Sequence, residues 1–262
     1  MGPEIALLLL CSLRGVQSFQ CGQAAQRTPR TIVSPMRSLQ PALIAAPSTT
    51  VAGIPPLFQQ VNEQVLNVAK YGMDAVYGNR SIDRFYALET AARMPYFAYF
   101  SVLHLYETLG WFRKTPYMRS HIEENWNELY HLKIMEQLGG GRRPLDRNLA
   151  HTASVGYFCL TVLLYVLSPA TAYDLSRRVE EHAYASYDEF IEKNKGYLIS
   201  HDVPPIALQY YNRSLHFTSR DLKKSNGPLP TLYDIFVRIR DDEKEHAGSM
   251  SKLEHEVIEG KL

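Results

Sequence analysis

The run Asn125-Trp126-Asn127-Glu128-Leu129-Tyr130-His131 opens NWNELYHLKIMEQLGG (125–140) and carries Glu-x-x-His at Glu128 and His131. Residues three apart share one face of an α-helix, so this pair can hold a metal ion together. The chain repeats the arrangement once more, at Glu243 and His246 within IRDDEKEHAG (239–248). One such pair arises by chance on any solvated helix face. Two copies on separate amphipathic helices say more if each is preceded by another carboxylate on an apolar helix face. Glu89 lies in RFYALETAARMPYFAYFSVL (84–103), and Glu180 in DLSRRVEEHAYASYDEF (174–190). The order Glu, Glu-x-x-His, Glu, Glu-x-x-His is the donor set of the all-α, ferritin-like di-iron carboxylate four-helix bundle. Oxygen and imidazole donors without thiolate suit non-haem iron or manganese. Four carboxylates also neutralise most of the charge of two divalent ions.

Composition agrees. The 262 residues are 45% apolar with net charge +1, enough for one domain plus an extension and no electrostatic case for nucleic acid. Cys11, Cys21 and Cys159 are the only cysteines. No disulfide framework or thiolate metal site follows from them.

Residues 5–11, IALLLLC, form an apolar run of signal-peptide length, too short to span a bilayer. Residues 5–62 contain no Asp or Glu but include Arg14, Arg27, Arg30 and Arg37 among Ser, Thr and Pro. An acid-free, Arg- and Ser-containing stretch is transit-peptide composition. Two-step targeting is the expectation for 1–50, with Val16-Gln17-Ser18-Phe19 resembling a cleavage junction of proteins entering plastids of secondary origin. The folded domain is then 51–262.

Apolar spacing predicts helices over 57–77, 82–111, 116–138, 169–193 and 232–256, with a short one near 204–212 in a loop-like 194–228. Ser81 reads as an N-cap, Pro95 as a kink, and 139–141 (Gly-Gly-Gly) as a helix stop. Glu123, Glu124 and Glu136 read as solvated. His104 and Glu107 are rival ligands four to five turns from Glu89. Tyr187 follows Glu180 and Ala183 on one helical face, as a core tyrosine or a redox participant. Asp242 and Asn127, each preceding a ligand Glu, are placed to hydrogen-bond a ligand histidine. Residues 148–173 contain no Lys, Arg, Asp or Glu. That stretch could span a membrane, form a core helix, or lie in one leaflet. The reading adopted is monotopic, resting on the membrane through 57–77 and 148–168. A single span is the alternative.

LETAARMPYFAYFSVLHLYETLGWFR, NWNELYHLKIMEQLGG, VEEHAYASYDEF and LYDIFVRIRDDEKEHA together resemble the alternative oxidase family, and within it the plastid branch, over about 57–258. Glu180-Glu181-His182 looks like that branch, where other members carry a triple Glu. The resemblance implies a di-iron four-helix bundle with two additional membrane-associated helices, commonly dimeric, oxidising quinol with O₂ reduced to water. It implies iron ligands Glu89, Glu128, His131, Glu180, Glu243 and His246, with Tyr187 radical-capable. It implies a quinone pocket at Arg84, Leu88, Val179 and Ala183, two non-haem iron ions per chain, and plastoquinol as substrate at a thylakoid membrane. The segment 212–230 looks shorter than in plant members. A di-iron monooxygenase acting on a membrane quinone or lipid uses the same ligands and is the rival activity. Ferritin-like iron storage and a non-enzymatic membrane-surface protein are further alternatives.

Overall fold

The structure is a computed structural model that describes residues 53–212 and 229–261. The targeting stretch 1–50 and most of the segment 212–230 lie outside the described residues. Seven helices and no strand occur within them: α1 (Pro56–Tyr77), α2 (Ser81–Thr108), α3 (Thr115–Gln137), α4 (Pro144–Leu167), α5 (Pro169–Ile199), α6 (Pro205–Tyr211) and α7 (Leu232–Ile258). The all-α expectation is borne out.

Two apolar cores hold the bundle. One gathers Phe85, Tyr86, Tyr130, Ile134, Tyr187, Phe190, Phe236 and Ile239. The other gathers Tyr96, Tyr99, Leu103, Leu164, Tyr173 and Met250. α2 and α7 run from the first core to the second, and α5 runs the opposite way. α3, with Tyr117 and Met118 against the second core and Tyr130 to Met135 in the first, runs as α5 does. α2, α5 and α7 carry their motif residues in the turns between the cores; in α3 Glu128 lies there and His131 sits among the first-core residues Tyr130 and Leu132.

Local chemistry departs from the sequence expectation in several places. α2 begins at Ser81 with Arg80 as its N-cap, not Ser81. Arg80 is held there by ion pairs to Asp83 (3.2 Å) and Asp146, and Ser81 is left buried in the first turn. α2 is helical on both sides of Pro95, the residue read as a kink. Asn125 donates to the Arg93 carbonyl (2.9 Å) in the turn before the proline, so a neighbouring helix serves that stretch of backbone. Non-helical backbone inside a helix occurs at Asn194 in α5 (φ −119°, ψ 17°), beyond which the helix continues to Ile199 rather than stopping near 193. Asn194 donates to the Phe190 carbonyl (2.9 Å), and Leu198 packs in the first core, so packing carries the helix past its weak point.

Glu124 is a further correction. It is buried beside His121 (3.7 Å), one turn before Glu128, whereas Glu123 pairs with Arg119 (2.7 Å) and Glu136 is exposed. α4 is not a core helix: 28% of its most apolar stretch is buried, and Leu145, Val155, Leu163, Val166 and Leu167 face outward. α1 likewise exposes Leu57, Val68 and Tyr71. Asn62 anchors α1, donating to the Thr171 carbonyl (2.9 Å) and to Asp174 (2.8 Å) of α5.

The turn after α3 is set by its glycines. Gly141 has φ +67°, and a Cβ there would stand 2.6 Å from the Tyr86 ring. Gly141→Ala is expected to cost about 2–4 kcal/mol from left-handed strain and overpacking combined. Gly248→Ala, inside α7 with open space around it, should instead gain up to about 1 kcal/mol. Denaturant unfolding of the two variants checks both signs.

Candidate metal centre

Each bundle helix delivers its donors by spacing alone. Glu89 comes from α2, Glu128 and His131 from α3, Glu180 from α5, Glu243 and His246 from α7. All four carboxylates and His131 are fully buried, and His246 is 5% exposed. Donor atoms of Glu89, Glu128, His131 and Glu243 lie within 4.8 Å of one another, as do those of Glu128, Glu180, Glu243 and His246. The two groups share Glu128 and Glu243. Six side chains thus form two adjoining four-donor sites with two carboxylates common to both.

The donor atoms do not satisfy each other. Glu128 and Glu243 have both oxygens without a hydrogen-bond partner among the described residues. So do Glu89 Oε2, Glu180 Oε2, His131 Nδ1 and His246 Nδ1. His246 Nδ1 stands 2.6 Å from Glu128 Oε1 and His131 Nδ1 3.1 Å from Glu243 Oε1, close but not aligned for hydrogen bonding. Buried polar atoms are almost always paired, so eight orphaned ones converging on one place fit cation binding. Carboxylate and imidazole donors suit iron or manganese.

The outward-facing atoms are held. His131 Nε2 is 3.3 Å from Asp242 Oδ2. The same oxygen accepts from Asn127 (3.2 Å) and from Tyr211 (3.1 Å). A carboxylate accepts only, so it fixes a proton on Nε2 and turns Nδ1 inward. Asp242 therefore meets a ligand histidine as its place before Glu243 suggests, though it is the histidine of the other motif, whereas Asn127 reaches no histidine and donates to Asp242 and to Tyr210 (2.8 Å) instead. On the other side Tyr187 donates to Glu89 Oε1, with Phe85 stacked on its ring at 4.2 Å. Tyr96 donates to Glu180 Oε1 (2.7 Å).

Tyr96, Tyr211 and Glu124 were not singled out from sequence. Tyr96 lies seven residues after Glu89, two turns along one face, and that spacing was a usable signal. Tyr211 had none, because it depends on how α6 docks. His104 and Glu107 stand apart from the cluster: His104 is exposed and Glu107 pairs with Arg113 (2.7 Å).

Of the residues tied to quinone by resemblance, Leu88 and Val179 line a cavity of about 460 Å³ between α1, α2, α4 and α5. Arg84 and Ala183 lie outside that lining. Arg84 is buried in an ion pair with Asp74 of α1, and Ala183 is fully buried on α5. The cavity's rim includes the exposed Val68 and Leu149, and its inner wall includes Ala91 and His182, close in sequence to Glu89 and Glu180. His182 is uncharged there, pushed down to about 3 by burial and by nearby Lys70 and Arg84.

Without cations the cluster holds protons. Burial and the Glu128 charge push Glu89 up to about 8 and Glu180 up to about 7. Glu243 rises for the same reasons and because of Glu89. Burial also works on Glu128, but the imidazoles of His246 and His131 outweigh it and hold Glu128 low. His246 reaches about 9 because Glu128 overcomes the effect of burial. At pH 7 several donors must lose protons to bind metal. Adding Fe(II) or Mn(II) to metal-free protein is expected to release roughly two or more protons per chain. Affinity should weaken as pH falls from about 9 to 6, in step with these raised values. Calorimetry in buffers of different ionisation enthalpy reads the released protons, and pH-independent binding would overturn the assignment. Asp242→Ala should weaken metal binding roughly 10–100-fold by freeing His131.

Comparison with known proteins follows the same geometry. A family model described as "Alternative oxidase" matches residues 49–255. The chain is 45% identical over 184 residues to "Ubiquinol oxidase 4, chloroplastic/chromoplastic" of Arabidopsis thaliana, covering 68% of this chain and 52% of that protein. It is 28% identical over 182 residues to "Ubiquinol oxidase 1, mitochondrial" of Glycine max, covering 69% and 52%. It is 28% identical over 145 residues to "Alternative oxidase, mitochondrial" of Yarrowia lipolytica, covering 54% and 41%. The chain spans about half the length of these relatives or less. Matched by the family model over most of its length, with that model's span taking in all six buried donors, the chain belongs to the alternative oxidase family.

Proposed function

We propose that this chain is a non-haem di-iron quinol oxidase: 2 plastoquinol + O₂ → 2 plastoquinone + 2 H₂O. The observation that carries the reading is the pair of adjoining four-donor sites sharing Glu128 and Glu243, with an apolar cavity reaching their flank. Iron would be held by Glu89, Glu128, His131, Glu180, Glu243 and His246. Two bound iron ions would supply the electron-transfer and O₂ chemistry. The protein keeps water out: the donors lie between two apolar cores. Asp242 orients His131, and Tyr96 holds one oxygen of Glu180. Tyr187 holds a proton at its hydroxyl beside Glu89, where proton and electron can leave together, and we assign it the redox role.

Quinol enters along the cavity between α1 and α4, the two helices that turn apolar side chains outward. Leu88 and Val179 face it, with Arg84 and Ala183 behind. α1 and α4 rest the protein on a membrane in monotopic fashion, with Arg142, Arg143 and Arg147 near the headgroups. The family resemblance and the acid-free 5–62 support a plastid thylakoid membrane, of secondary origin by the Val16–Phe19 junction, and a homodimer. We read 1–50 as targeting sequence and 51–262 as the oxidase domain.

The protein loaded with Fe(II) is expected to bind about two irons per chain and to consume O₂ on adding a plastoquinol analogue. Glu243→Ala, which removes a carboxylate common to both sites, should abolish uptake. Iron bound without quinol-driven uptake would sink the oxidase reading. Leu163→Asp with Val166→Asp should prevent flotation with liposomes and leave iron binding intact.

A further inference from the structure

Outside the six donors, three more orphaned atoms lie together on α3: His121 Nδ1 and both oxygens of Glu124 have no hydrogen-bond partner among the described residues. His121 is fully buried and Glu124 is 6% exposed. The two are three residues apart, so they share a helix face. His121 Nδ1 stands 3.7 Å from Glu124 Oε2, too far for a hydrogen bond. It is inside the 4.8 Å that spans the donor atoms of each metal site. The far side of the ring is held, as it is in His131. His121 Nε2 pairs with the Tyr173 hydroxyl (3.1 Å), which pairs in turn with Tyr165 (3.1 Å). Leaving buried donors and acceptors unpaired is costly, so these atoms mark a place that something else occupies.

The pair lies between the surface and the donor layer. Glu124 is one turn before Glu128 and within electrostatic reach of His246, the least buried of the six donors at 5% exposed. A surface cleft of about 550 Å³ between α3 and α7 is lined by Ser120 and Glu123, whose chain neighbours are His121 and Glu124. The carboxylates in that lining, Glu123 and Glu256, are paired with Arg119 (2.7 Å) and Lys252 (3.7 Å). Glu124 has no Lys or Arg partner among the described residues.

We propose that His121 and Glu124 form a divalent-cation site through which metal ions pass from the α3–α7 cleft into the donor layer; this rests on the metal-centre reading above. Imidazole and carboxylate are the donor types of the layer itself, so the same ions suit both. Two side chains offer fewer donors than the four of each adjoining site. An ion is therefore held more weakly here and moves on inward. A cation crossing an apolar interior also needs a counter-charge on the way, and Glu124 supplies one before Glu128 is reached.

The test is the rate at which the metal-free full chain takes up Mn(II), followed by loss of the free-ion EPR signal. Metal analysis counts the ions bound at saturation. Glu124→Gln keeps the shape and removes the charge. It is expected to slow uptake about tenfold. At saturation it should still hold about two ions per chain. His121→Gln removes the imidazole and should also slow uptake, which keeps the test decisive if Glu124→Gln does not fold; thermal unfolding checks both. Glu136→Gln, exposed on the same helix, should leave the rate unchanged. Uptake by the folded variants at the unaltered rate would overturn the proposal and assign the orphaned atoms to water. Equal slowing by Glu136→Gln would overturn it as an effect of surface charge. Fewer than two ions at saturation in Glu124→Gln would overturn it too, as a role in the centre itself. If the unaltered chain takes up no Mn(II), the metal-centre reading fails and the proposal falls with it.

Discussion

Four carboxylates packed within a few ångströms in an apolar interior cannot all stay ionised unless cations share the space. That constraint organises the bundle. Glu89, Glu128, Glu180 and Glu243 sit in one polar layer between two aromatic-rich cores, and every bundle helix contributes to all three layers. The cores exclude water, and that exclusion makes the layer so unfavourable when empty of positive charge. Protons occupy it by default, on Glu89, Glu243 and His246. Metal is the alternative occupant that would engage the donors' unpaired oxygens and nitrogens.

The surroundings of the layer divide by task. On the α6 side Asp242, Asn127 and Tyr211 form a hydrogen-bonded group that holds His131 from behind. On the opposite face Tyr187 and Tyr96 each hold a single oxygen of one carboxylate, Glu89 and Glu180. These are the two carboxylates that the adjoining sites do not share. The shared pair, Glu128 and Glu243, has no such outside partner on its oxygens. These four oxygens would be free to hold cations placed between the two sites.

The cavity lies beside this layer, walled by α1, α2, α4 and α5. Its inner wall is made of sequence neighbours of Glu89 and Glu180, and its rim of outward-facing side chains on α1 and α4. The same helices that leave apolar surface exposed thus also wall the cavity. A ligand arriving there would be one that partitions into an apolar phase.

What the sequence by itself determined was every feature carried by helical periodicity. The faces of the six candidate donors and the stops at Gly139 and Gly141 follow from motif spacing and glycine placement within single helices. These are local, and 3.6 residues per turn converts them directly into faces. Tertiary structure decided what depends on a second element. Glu124 reads as one more solvated acid until α2, α5 and α7 close over it. Ser81 yields the cap of α2 to Arg80 because Asp146 of α4 reaches back to hold that arginine. α5 survives its break at Asn194 because Leu198 packs in the core. Tyr211 joins the centre only through the docking of α6. Burial and hydrogen-bond satisfaction are properties of facing surfaces, and a single helix holds only one of the two.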